Sequence, residues 1–146
     1  MKKFKFSLEP VLGERGRIED EKQRILGERR CELGAAEDEL ARLHEEFKRH
    51  STVLRDEHKT LDSEQLRWHY AHLEYLDRCI TTQYGVVTQR RIKAERARVA
   101  LVEASKDRKV IEKLKDKRFK EHRSLRALIE QKELDDTNNR RPTHPW

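Results

Sequence analysis

Proline is nearly absent from this 146-residue chain, occurring only at Pro10, Pro142 and Pro145. Residues 11–141 therefore hold no proline to interrupt a helix. Glycine is scarce too. Gly13, Gly16, Gly27, Gly34 and Gly85 stand singly, each lowering helix propensity by roughly 1 kcal/mol relative to Ala without ending a helix. No apolar run approaches the roughly 20 residues of a membrane span, and no apolar segment follows Met1-Lys2-Lys3 as a secretion signal requires. Direct membrane insertion is not expected, and the cytoplasm is the expected compartment. The two cysteines, Cys31 and Cys79, lack metal-ligand spacing and read as reduced thiols. Missing as well are a Gly-rich phosphate loop and any Ser/His/Asp arrangement of catalytic spacing, so neither an enzyme nor a cofactor is expected.

What the chain has in abundance is charge, 42% of its residues against 34% hydrophobic. A globular core of this length needs more apolar material. A disordered chain or an extended coiled coil does not. Periodicity decides for the coiled coil. Leu26, Leu33, Leu40, Phe47, Leu54 and Leu61 recur every seven residues, with Ala36 and Leu43 at the second seam position and Arg29, His50 and Glu57 interrupting it. Upstream, Phe4, Val11, Ile18 and Ile25 form a series one residue out of step, which reads as a coiled-coil discontinuity. A second ladder follows in Leu66, Leu73, Ile80, Val87, Ala94 and Leu101, with Leu76, Ala97 and Ala104 three residues on. Between the ladders, Asp62 and Gln65 have the spacing of a capping box.

A fold class follows: all-α, a long two-helix antiparallel coiled-coil hairpin making one domain over 1–146. Helix one is expected over about 7–61, with Ser7 as N-cap, the bend over 62–65, and helix two over about 63–136. On 1.5 Å per residue these helices would measure roughly 80 and 110 Å, so the second overhangs the first and 138–146 form a frayed tail. In this register Leu61 lies beside Leu66, Phe47 beside Ile80 and Leu26 beside Leu101. Charge is sorted along the chain as well: residues 31–85 carry 7 Lys and Arg against 12 Asp and Glu, while residues 86–134 carry 16 against 8. An acidic bend end and a basic open end point to two different partners.

Five of the seven histidines (His44, His50, His58, His69, His72) flank the bend, and His69 and His72 share a helix face. Without a cysteine or carboxylate completing a tetrahedral set, no metal is expected. The basic run Lys113, Lys115, Lys117, Arg118, Lys120, Arg123 and Arg126 is interleaved with Glu112, Asp116, Glu121 and Glu130 and lacks stacking aromatics. It reads as a solvated or protein-docking face, with no nucleic acid as partner. Trp68, Tyr70 and Tyr75 fit either a cap on the seam or an anchor for a partner.

Both ends of the chain carry a signature. It starts Met1-Lys2-Lys3-Phe4-Lys5-Phe6-Ser7-Leu8-Glu9-Pro10-Val11-Leu12, and later reads Glu112-Lys113-Leu114-Lys115-Asp116-Lys117-Arg118 and Glu130-Gln131-Lys132-Glu133-Leu134-Asp135-Asp136. These stretches resemble the flagellar export protein FliJ family, whose length and architecture match along nearly the whole chain. The resemblance implies a non-enzymatic component of the flagellar type III export apparatus, similar to the central stalk of rotary ATPases. Its implied partners are a hexameric export ATPase, the membrane export gate and export chaperones, at the inner membrane beneath the flagellum. Carried onto this chain, the ring-facing residues are Phe4, Phe6, Leu8, Val11, Leu12, Leu114, Arg118, Glu121, Leu125 and Leu128. The gate contacts fall around Leu43, Phe47, His50, Leu73 and Leu76. The family's gate surface is partly aromatic, whereas Glu46 and His50 stand where tyrosines are expected. Two other readings compete: the stalk of a virulence type III secretion system, and a generic coiled-coil scaffold dimerising through its ladders.

Overall fold

A computed structural model describes residues 2–140. It contains two α-helices, α1 (Glu9–Glu57) and α2 (Ser63–Asn139), and no strand among the described residues. The tail expected over 138–146 lies mostly outside the described residues. Its first two positions belong to α2, which runs three residues past the expected end at Asp136.

Local chemistry sets the helix ends. Ser7 does not cap α1. A capping hydroxyl accepts from the backbone N–H two or three residues on; the Glu9 amide is taken by the Phe6 carbonyl, and Pro10 has no N–H. The helix starts instead at Glu9, whose amide donates to the Phe6 carbonyl at 3.2 Å and whose carboxylate suits the positive end of the dipole. At its other end α1 stops at Glu57, four residues earlier than expected. The Glu57 carbonyl accepts from the Thr60 amide at 2.9 Å, from Thr60 Oγ1 at 2.8 Å and from the Leu61 amide at 3.3 Å, a tightened last turn that closes the helix. α2 begins with a complete capping box: the Gln65 amide donates to Asp62 Oδ1 at 2.8 Å, and the Asp62 amide donates to Gln65 Oε1 at 3.1 Å. The reversal thus occupies residues 58–62.

Contacts divide the chain into two units, one of Met1–Asp20 with Glu103–Trp146 and one of Glu21–Val102. In both, α1 and α2 run antiparallel side by side. In the unit Glu21–Val102, Leu43, Leu76 and Ile80 form a buried cluster against which Leu40, Phe47 and Cys79 pack. Leu26, Ala36, Leu54, Val87, Ala94 and Ala97 continue the core. Phe47 packs against the cluster that holds Ile80, its expected neighbour, and the +3 residues Leu43 and Leu76 belong to the same cluster. Gln83 Nε2 donates to the Ala36 carbonyl at 2.9 Å, and Arg90 pairs with Glu32 at 3.0 Å across the helices.

In the unit of the two termini the seam turns polar. Val11 and Ile18, expected in the seam, are 38% and 43% exposed. The register of the strong ladder continues upstream and carries Arg15 and Glu19 inward in their place. Glu19 pairs with Arg108, both largely covered, and Lys115 pairs with Glu9 at 2.8 Å. Ala104 and Ile111 are the buried apolar residues α2 contributes here.

Candidate docking faces and a histidine cluster

In the unit of the termini, the segment before α1 lies against α2. The Phe4 ring meets Phe119 edge-on at 5.3 Å and the His122 ring at 5.5 Å. Phe6 is buried beneath the Arg118 guanidinium, 6.0 Å from the ring centroid, and Arg118 also donates to Ser7 Oγ at 3.2 Å. A ring nitrogen of His122 stands 3.2 Å from the Lys2 carbonyl oxygen. Leu8, Leu12 and Leu114 are half-buried.

The residues assigned to ring contact thus separate into two kinds. Phe4, Phe6, Leu8, Leu12 and Leu114 are engaged within the unit. Val11, Glu121, Leu125 and Leu128 face outward, Leu125 at 52% and Leu128 at 65% exposure. The outward leucines border a shallow groove along α2 with Lys113, Lys117, Lys120 and Ser124. From residue 124 to residue 140 every side chain is exposed. With 18 Lys and Arg against 13 Asp and Glu, this unit carries +5 of the chain's +6.

The residues assigned to gate contact lie in the unit Glu21–Val102, and they line its interior. Leu76 is 2% exposed and Leu43 is buried with it, while Phe47 and Leu73 are half-buried in the same seam. The expected surface therefore becomes a core, because the heptad positions that attract apolar residues are those the partner helix covers. Outside that core are the aromatics Trp68, Tyr70, Tyr75 and Tyr84, all more than half exposed. Tyr84 was not singled out by sequence. Its hydroxyl lies 3.2 Å from His44 Nε2 of α1, a pairing the linear order does not display.

His50 belongs to a cluster. Its ring is 4.4 Å from that of His72 and 5.7 Å from that of His69, and Trp68 stacks on His72 at 5.0 Å with 10° between the planes. Glu46, one turn from His50, brings Oε1 to 3.4 Å from His72 Nε2. Burial drives the His50 pKa below its ordinary value of 6.5, helped by the neighbouring His72, Arg49 and His69 and opposed by Glu46. The shift keeps the ring neutral near pH 7. Glu46 supplies the carboxylate that sequence spacing alone did not offer His69 and His72.

No helix among the described residues is long and apolar enough to cross a membrane. None of the curated proteins matches the chain in sequence. Among solved structures, the chain is similar to CT670 from Chlamydia trachomatis, described as a YscO homolog, with a TM-score of 0.61, 20% identity and 94% of each chain covered. That likeness shows the shared two-helix fold. The model of the flagellar FliJ protein family matches residues 4–144, and the chain belongs to that family.

Proposed function

We propose that this chain is a non-enzymatic, stalk-like adaptor of the flagellar type III export apparatus. The unit of the two termini enters the hexameric export ATPase ring, and the unit Glu21–Val102 meets the membrane export gate. The protein works in the cytoplasm, associated peripherally with the inner membrane at the flagellar base, and assists export chaperones. Family membership over residues 4–144 carries this reading.

Physical features of each unit support it. The exposed end of α2 combines a positive balance with outward leucines, the combination a charged bore with apolar contacts would select, and the charge steers docking more than it holds the complex. Phe4 and Phe6 pin the N-terminal segment to α2 and so shape the docking end. On the other unit, Trp68, Tyr70 and Tyr75 provide exposed aromatic anchors of the kind that dominate interface energetics.

The reading is tested on the full chain with Leu125→Asp and Leu128→Asp together. Both side chains are solvent-exposed, so helix content by circular dichroism stays unchanged. Stimulation of the export ATPase is expected to fall at least tenfold. Undiminished stimulation would remove the assignment of the ring-facing end.

A further inference from the structure

We propose that Glu46, His50 and His72 form a binding site for a divalent transition metal of the zinc class, clamping α1 to α2 beside their connection. The inference stands on the unit Glu21–Val102 alone and does not depend on the export reading.

The donor set is of the right chemistry. Two imidazoles and a carboxylate are ligands that zinc accepts in sites where water supplies the fourth position. One ligand atom from each residue lies within 4.8 Å of the others. The 3.4 Å between Glu46 Oε1 and His72 Nε2 equals the edge of a tetrahedron whose metal bonds are about 2.1 Å long. Glu46 and His50 are one helical turn apart on α1, so both side chains reach toward the same partner on α2.

The surroundings favour a metal over a simple hydrogen-bonded cluster. His50 Nδ1 and His69 Nδ1 are buried without a hydrogen-bond partner among the described residues. An imidazole nitrogen withdrawn from water needs a hydrogen-bond partner or, when unprotonated, a metal to offset that cost. Trp68, stacked on His72, holds that ring in place and shields one side of the site. His69 lies outside this set, its ring 5.7 Å from that of His50. A metal held by His50 and His72 closes residues 51–71 into a short loop, so occupancy stabilises the paired helices around the connection.

The test is a zinc titration of the tag-free full chain at pH 7.5, followed by calorimetry and thermal melting. One Zn²⁺ per chain is expected, at micromolar Kd or tighter, with a rise of several degrees in Tm at saturating metal. His72→Gln and Glu46→Gln each weaken binding 10- to 100-fold, while His44→Gln and the pair Cys31→Ser with Cys79→Ser leave it unchanged. Circular dichroism without metal establishes that each variant is folded. Cobalt substitution gives an independent reading, an absorption spectrum of a nitrogen- and oxygen-ligated centre without thiolate bands. Absence of saturable zinc uptake overturns the proposal. So does uptake that survives His72→Gln, or that disappears with the cysteines.

Discussion

Asp62 and Gln65 each close the other's backbone amide at the first turn of α2. Asp62→Ala is expected to cost about 1 kcal/mol, measured as a lower urea midpoint at unchanged m-value. This feature was legible in the sequence because both partners lie within four residues. His50 makes a second residue-scale prediction. Its pKa is lower folded than unfolded, so below about pH 6.5 the unfolded chain takes up a proton that the folded chain refuses. Stability is therefore complete above that pH and declines as pH falls toward the folded value, where the decline levels off. The groups facing the ring are Glu46, His69 and His72, with Arg49 beside it, and replacing His50 by Gln is expected to flatten this part of the pH profile in metal-free buffer. Denaturation midpoints measured between pH 7.5 and 5.5 for both chains check it. The cluster itself was not legible, because Glu46 and His50 meet His72 only through the packing of one helix on the other.

Both helices tolerate glycine at a cost. No glycine has a positive φ, and a Cβ built at Gly85 meets nothing within 4 Å. Gly85→Ala is expected to stabilise the protein by about 0.5–1 kcal/mol, through helix propensity and a less flexible unfolded chain. A raised urea midpoint would show it. The ladders from Leu26 to Leu101 were legible because apolar heptads set their own register. Val11 and Ile18 misled for the same reason. Their spacing is regular, but a continuous helix keeps the phase of its strongest stretch, and Glu19 paired with Arg108 occupies the place they seemed to claim. Charged residues can fill a seam position when their stems cover the interface and their heads find partners. Leu43, Phe47, Leu73 and Leu76, assigned to gate contact, lie in the seam because apolar heptad positions are those the facing helix covers.

In the whole molecule each helix finds its apolar partner within the same chain. The core around Leu43, Leu76 and Ile80 covers the middle of both ladders with residues of the same chain. The purified protein is expected to sediment at the mass of one chain at micromolar concentration. A stable dimer at that concentration would favour the scaffold reading, in which the ladders pair between chains. Fold class and family were legible along nearly the full length, whereas the division into two units was not. Cross-helix ion pairs such as Lys115 with Glu9 were not legible either, because they depend on the register of one helix on the other.

The contacts of Phe4 with Phe119 and of Lys2 with His122 join residues more than a hundred positions apart. They also set an order of events during synthesis. Leu43 finds Leu76 and Ile80 soon after it is made, while Phe4 must wait for more than a hundred further residues. At about 5–20 residues per second that wait is roughly 6–23 s. The segment around Phe4 is thus covered later than the middle of α1. Throughout that interval the phenylalanines of the N-terminal segment are open to chaperones and proteases, although they end as the fastening of the finished protein.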